Sequence, residues 1–359
     1  MRTNMNLFIR ADGNQDIATG HIMRCLSIAD ACVDEAPDGV RLTFLVSDKV
    51  SKELLLNRLS GTKKLSCDNV DIIVLNSDYR DLVSDFDSDT FNSISWDKVD
   101  VLLIDSYHAK DEYFSKLRQM VTNNGLTMRV AYMDDFYRRN LPLDIVVNYD
   151  ADAIERSGVY DGIPTKLLGF SYTPLRSMFE EAVTPTFAEN GKILLTAGGS
   201  YIDRAMDKLM PYIQEFINKN SLELHILLGR ELTSIEESVN SEDRSIYYHP
   251  YISNMAEFLK DFSLVVSAGG TTLKEVCAVG VPCVSFALGD DQVINAIGME
   301  KAGLIPYIGD LRTDDYKNKI IDILNSVISP EYQHTISVKM KNAIDGKGAR
   351  RIAKALLEG

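Results

Sequence analysis

The chain has 359 residues, 45% hydrophobic and 25% charged, which is ordinary globular composition with material for two buried cores. Lys and Arg number 38 against 52 Asp and Glu, and the formal net charge of −14 speaks against a nucleic-acid or acidic-membrane binder. Five cysteines, an odd number with no CxxC pair and no histidine cluster, speak against a disulfide framework and against zinc, and read as reduced thiols.

The opening residues, Met1-Arg2-Thr3-Asn4-Met5-Asn6, lead straight into an apolar strand without the apolar core of a signal peptide. No apolar run approaches the ~20 residues of a membrane span, so a cytoplasmic protein is expected. Strands are predicted over 7–10, 42–46, 72–75, 101–104, 130–133 and 145–147, with helices near 22–35, 52–59 and 112–122. Most of these strands are continuous apolar runs, as expected where helices cover both faces of a parallel sheet. The stretch 171–190, with Pro174 and Pro185, is the hinge candidate. Beyond it, strands are predicted over 193–196, 224–228, 245–248, 264–267 and 283–286, with helices near 204–219, 255–260, 273–279 and 293–302. The segment 331–357 is helical in pattern and basic over 347–354. The expected organisation is a Rossmann-like domain over 1–172, a nucleotide-binding Rossmann-like domain over 190–335, and a C-terminal helix in 336–359 that packs back on the first. Two doubly wound α/β domains of this kind place a ligand in a central cleft, outside the carboxyl ends of their strands.

Three segments carry chemistry. In Ile9-Arg10-Ala11-Asp12 through Thr19-Gly20-His21, a strand runs through a polar loop into a helix that opens on His21. A helix N-terminus presents free N–H groups and favours the uncharged imidazole, the form that accepts a proton. Gly20 permits close backbone approach there; the alternative for His21 is a helix-capping histidine. In Thr196-Ala197-Gly198-Gly199-Ser200 and in Ser267-Ala268-Gly269-Gly270-Thr271-Thr272, a strand again ends in Gly-Gly before a helix, with N–H groups suited to a phosphate. Glu275, about one turn into the last of these helices, suits either ribose hydroxyls or the helix dipole. Gly289-Asp290-Asp291-Gln292 opens one more helix. Neither a P-loop nor GxGxxG is present, so the ATPase and dinucleotide readings are weak. His108 and His249 sit in loops, His225 lies in a strand run, and Asp134-Asp135 and Asp150-Ala151-Asp152 read as acidic turns before they read as a metal motif.

Together, Arg10-Ala11-Asp12-Gly13, Gly20-His21-Ile22-Met23-Arg24-Cys25-Leu26, Asp105-Ser106-Tyr107, Met133-Asp134-Asp135 and Asp144 to Asn148 resemble the UDP-2,4-diacetamido-2,4,6-trideoxy-β-L-altropyranose hydrolases of pseudaminic acid biosynthesis, a group related to spore-coat polysaccharide proteins. Later matches are Leu168-Gly169, Gly198-Gly199-Ser200, Ser253-Asn254-Met255-Ala256, Ala268 to Thr272, Glu275 and Gln292. The second half is also similar to the GT-B glycosyltransferases resembling the peptidoglycan N-acetylglucosaminyltransferase. The resemblance implies a GT-B fold and a UDP-sugar substrate, whose anomeric carbon water attacks with inversion, releasing UDP without metal or other cofactor. It implies His21 as the base, with Gly198, Gly199, Ser200, Gly269, Gly270 and Thr271 at the diphosphate. It further implies Glu275, Asp291 and Gln292 at hydroxyls, Arg10, Asp12 and Tyr107 on the sugar side, and pathway enzymes as partners. Ala18 stands where the family has the first glycine of its Gly-x-Gly-His loop, and Asp291 where it commonly has Asn. The alternatives are an inverting glycosyltransferase on the same scaffold and a nucleotide-sugar-binding protein without turnover.

Overall fold

The computed structural model describes residues 5–36, 39–59, 61–181, 185, 191–198, 202–234, 236–237 and 245–358. The chain divides into two compact units, Met1–Ser177 with Lys347–Gly359, and Met178–Gly346.

The first unit is a parallel sheet of β1 (Met5–Ala11), β2 (Val40–Val46), β3 (Val70–Val74), β4 (Val101–Asp105), β5 (Arg129–Met133), β6 (Ile145–Asn148) and β7 (Thr165–Leu168). Its strand order is β3-β2-β1-β4-β5-β6-β7. Because successive side chains point to opposite faces, the apolar runs feed two cores. Leu7, Ile9, Ala11, Val101 and Leu103 meet Ile22, Cys25, Leu26 and Ala29 of α1 (Gly20–Glu35), joined by Leu55 and Leu59 of α2 (Lys49–Leu59). Leu102, Ile104, Val130 and Tyr132 meet Tyr113, Phe114 and Leu117 of α3 (Asp111–Asn123) on the other face.

The C-terminal helix Gly348–Leu357 inserts Ala349, Ile352, Ala353 and Leu356 into the first of these cores. The single helical segment expected near the C-terminus is therefore two helices in different units. The chain breaks at Gly346, whose φ is 75° and where a Cβ would lie 2.0 Å from the Phe179 carbonyl oxygen. That approach admits only glycine.

The second unit is a parallel sheet of β8 (Lys192–Thr196), β9 (Glu223–Leu227), β10 (Ile246–His249), β11 (Leu264–Ala268), β12 (Cys283–Ala287) and β13 (Tyr307–Asp310), in the order β10-β9-β8-β11-β12-β13. It is covered by α4 (Ile202–Asn220), α5 (Met255–Leu259), α6 (Thr272–Val279), α7 (Asp290–Lys301), α8 (Ile320–Val327) and α9 (Pro330–Ala343). The predicted strands are present, whereas β7 and β13 escaped prediction. Both are four-residue edge strands, and β13 carries Gly309 at a φ of 131°. Part of the proposed hinge, 182–184 and 186–190, lies outside the described residues. In each sheet the strand order reverses at one place, between β1 and β4 and between β8 and β11. Ligands bind beyond the strand ends at such switch points.

Candidate active site

Ala11 pairs with Asp105 across the first switch point, so the loop leaving β1 and the end of β4 lie side by side. His21, in the first turn of α1, is buried there, with Nδ1 2.6 Å from Asp105 Oδ1. One turn along the same helix face, Arg24 donates from Nε to Asp105 Oδ2 and from Nη2 to Oδ1, each at 2.5 Å. The same guanidinium reaches Asp135 Oδ2 at 2.7 Å and the Tyr149 hydroxyl at 2.6 Å. The Cys25 thiol completes the surround, 3.5 Å from Asp105 Oδ2. Burial works to raise the Asp105 carboxyl, but the Arg24 charge, then His21, and their hydrogen bonds hold it well below the usual carboxylate range. The Arg24 guanidinium, opposed by its own burial, is held protonated by Asp105 and Asp135.

A buried, ionised carboxylate thus fixes the imidazole through Nδ1, which leaves Nε2 as the ring nitrogen for proton transfer. The Tyr107 ring stands edge-on to His21 at 4.3 Å between centroids and is 46% exposed. The sequence singles out His21, places Arg24, Asp105 and Asp135 only within the motifs of the resemblance, reads Asp135 as part of an acidic turn, and says nothing of Tyr149. The available signal was a carboxylate ending an apolar strand, together with the three-residue spacing of His21 and Arg24.

Arg10 and Asp12, expected on the sugar side, form a buried structural network instead. Arg10 is fully buried and donates from Nε to Asp85 Oδ2 at 2.8 Å, from Nη1 to Asp12 Oδ2 at 2.5 Å and from Nη2 to Ser47 Oγ at 2.6 Å. Asp12 also accepts the Ser47 N–H at 2.6 Å, tying the end of β1 to the end of β2. These side chains are committed to one another, so the network shapes the loop that carries His21. The loop is tied again where the Tyr79 hydroxyl and Arg80 Nη2 both donate to Asp16 Oδ2 at 2.5 Å. Ala18 adopts a φ of 55°, which explains the glycine preference the family resemblance assigns to this position. At Gly20 an added Cβ would meet nothing within 4 Å, so no protein group requires glycine there. Asp134 accepts the Phe136 and Arg138 N–H groups and the Tyr160 hydroxyl, while Asp135 faces Arg24, so both acids of that turn have protein partners.

In the second unit Gly198, two residues beyond β8, has a φ of 67°; Gly199 and Ser200 lie outside the described residues. Gly269 is required by close approach, because a Cβ there would stand 2.3 Å from the Gln292 carbonyl oxygen at the start of α7. At Gly270 a Cβ would meet open space. Asn295, which the sequence reading passed over, clamps this turn by donating from Nδ2 to the Gly269 and Gly270 carbonyls at 2.7 and 3.1 Å. Thr271 is the N-cap residue of α6 but makes no side-chain capping bond, because its backbone is already helical. Glu275 is half-buried in the first turn of α6. Gln292 accepts the Leu288 N–H through Oε1 at 2.9 Å, so part of its amide caps its own helix. Asp291 is exposed in the first turn of α7, where a carboxylate complements the helix dipole. His225 and His249 stack in β9 and β10, with Nδ1 of the first 2.7 Å from Nε2 of the second. Among the described residues no group of three His, Cys, Asp or Glu is arranged to hold a metal ion, and no helix is long and apolar enough to cross a membrane.

Residues 193–355 match the Glycosyltransferase family 28 C-terminal domain. An uncharacterized protein of Methanocaldococcus jannaschii is 25% identical over 297 residues, 78% of this chain and 55% of that protein. The UDP-N-acetylglucosamine–N-acetylmuramyl-(pentapeptide) pyrophosphoryl-undecaprenol N-acetylglucosamine transferase of Alkaliphilus metalliredigens is 27% identical over 145 residues, 36% of this chain and 40% of the transferase. The chain thus spans about half the length of the curated relatives it matches. MurG of Acinetobacter baumannii superposes with a TM-score of 0.64 at 14% identity, covering 99% of this chain and all of that one. The UDP-GlcNAc 2-epimerase of Neisseria meningitidis, bound to UDP-GlcNAc, gives 0.64 at 12% identity over the same shares. The fold is accordingly the GT-B type, built from two Rossmann-like parallel-sheet units.

Proposed function

We propose that the protein is an inverting glycosyltransferase that uses a UDP-sugar donor and a hydroxyl acceptor, with His21 as the general base. The observation that carries this reading is the buried His21–Asp105 pair, whose carboxylate is kept charged by Arg24. In the reaction His21 Nε2 takes the acceptor hydroxyl proton, and the acceptor oxygen bonds to the anomeric carbon. The bond from that carbon to the diphosphate oxygen breaks, and its electron pair leaves with UDP. A base so placed contributes roughly 10²–10⁴-fold. The Gly269-Gly270 turn, together with the Gly198 turn, is the proposed diphosphate seat, through N–H groups at helix starts rather than through lysines. The match of residues 193–355 to a glycosyltransferase domain supports the transferase over the hydrolase. The N-terminal resemblance to UDP-sugar hydrolases supports a second reading that differs only in the acceptor, water in place of a hydroxyl.

The test measures UDP release from UDP-N-acetylglucosamine and other UDP-sugars, with and without saccharide or lipid-linked acceptors. Release that requires an acceptor is expected. Acceptor-independent release that places ¹⁸O from water on the sugar C1 would replace the transferase with a hydrolase. Retained UDP-sugar binding without any release would leave a binding protein.

A further inference from the structure

Tyr107 and Phe136, 46% and 53% exposed, are the exposed aromatic rings among the described residues of the first unit, and their centroids are 5.4 Å apart. Folding gains nothing from exposing two such rings, yet the surrounding chain is built to hold them out. The loop after β5 is nailed down by buried Asp134, which accepts the Phe136 N–H at 2.9 Å, the Arg138 N–H at 2.8 Å and the Tyr160 hydroxyl at 2.9 Å. Between these bonds Tyr137 is held at a φ of 57°, a conformation that favours glycine, and Arg156 covers its ring at 3.4 Å. A strained residue that its surroundings fully determine is a mark of function. Arg138 then stitches the loops together, lying 5.3 Å over the Phe136 ring and donating to the Tyr107 carbonyl at 3.0 Å and to the Ala109 carbonyl.

The result is a rigid L-shaped aromatic shelf whose near wall, Tyr107, touches the imidazole of His21. We infer that this shelf seats the pyranose ring of the acceptor, with Phe136 as its specificity-determining residue. The inference rests on the proposed transfer reaction. An acceptor hydroxyl must come within hydrogen-bond reach of His21, roughly 3 Å, which brings the rest of its ring beside the adjoining wall. The C–H faces of a pyranose are apolar and weakly positive, matching the negative faces of the two aromatic rings. A water acceptor would leave the shelf without an occupant. An alkyl chain would match the apolar rings but not the Arg138 guanidinium that lies over Phe136.

Binding is read without turnover, so the result does not depend on the reaction. Saturation-transfer NMR with methyl N-acetyl-β-D-glucosaminide and methyl β-D-glucopyranoside, with n-octanol as the aliphatic probe, is run on the wild-type chain, Phe136→Ala and Phe136→Trp. Pyranoside binding is expected in the wild type and in F136W, with at least fivefold loss in F136A. Unchanged binding in F136A, or octanol binding without pyranoside binding, overturns the proposal. Calorimetry with UDP and UDP-N-acetylglucosamine separates the donor. Equal affinities in wild type and F136A support an acceptor seat, whereas selective loss of the UDP-sugar with pyranoside binding intact assigns the shelf to the donor and overturns it.

Discussion

His21 Nδ1 and Asp105 Oδ1 lie 2.6 Å apart across the one place in the first sheet where the strand order reverses. The carboxylate engages Nδ1, which leaves Nε2 for proton transfer, and it stabilises the imidazolium that forms when a proton is taken. His21→Ala and Asp105→Asn are each expected to lower kcat by about 10²–10⁴-fold, with donor affinity little changed. Steady-state kinetics together with UDP titration checks this; D105N at more than a third of wild-type kcat would refute the pair.

Arg24 is the counter-charge to two carboxylates, one of them fully buried. Removing it as Arg24→Met leaves Asp105 buried without its counter-charge, with the His21 ring and the Cys25 thiol still beside it. A loss of about 3–5 kcal/mol in unfolding free energy is expected from urea melts. Because the folded Asp105 carboxyl is held below its unfolded value, its contribution is present above about pH 4 and is lost as pH falls further. The variant should therefore show a shallower acid-side loss of stability than the wild type.

Arg10 supplies a forked donor set to Asp12, Asp85 and Ser47 with no exposure to solvent. Arg10→Leu strands two buried carboxylates and should cost about 3–5 kcal/mol in chemical denaturation. Arg10→Lys should recover only part of this, since an ammonium cannot reproduce the planar fork. If R10L keeps wild-type stability and only raises a substrate KM, Arg10 is a substrate contact after all.

His225 is pushed down to about 4 by burial first, then by His249 and Lys192, with Glu223 Oε2 facing its Nε2 at 3.6 Å. His249 is lowered too, again by burial and then Lys192. Between pH 4 and about 6.5 the unfolded chain binds more protons at these rings than the folded one, so stability rises with pH across that window. Urea midpoints at pH 7 and pH 5 should fall less for His225→Phe than for the wild type.

Gly269 and Gly270 separate folding from binding. Gly269→Ala drives a Cβ into the Gln292 carbonyl and should cost about 1–3 kcal/mol by displacing α7. Gly270→Ala meets open space and should leave the melting temperature within a degree or two while weakening UDP in calorimetry. Equal UDP affinity for the wild type and G270A would remove this turn from the proposed nucleotide seat.

The sequence by itself determined the architecture. Apolar runs of four to five residues alternating with helical patterns specify buried parallel strands, and a chain of 359 residues at that spacing fills two sheets. It also pointed to His21, because a strand, a polar loop and a helix start in succession need no distant partner to be read. It overlooked β7 and β13, short edge strands that mix Thr165 and Lys166, or Gly309 and Asp310, with their apolar residues, and it joined two C-terminal helices that Gly346 separates. Which charges meet was decided only in three dimensions. Asp105 lies 84 residues from His21 and Asp135 lies 111 from Arg24, and only the pairing of β1 with β4 and β4 with β5 brings them together. For the same reason Arg10 and Asp12 read as ligand-binding residues, although Asp85, 75 positions from Arg10, closes their network inside the protein. Periodicity is local and survives in one dimension. Electrostatic pairing depends on distance in space, and the tertiary structure alone supplies it.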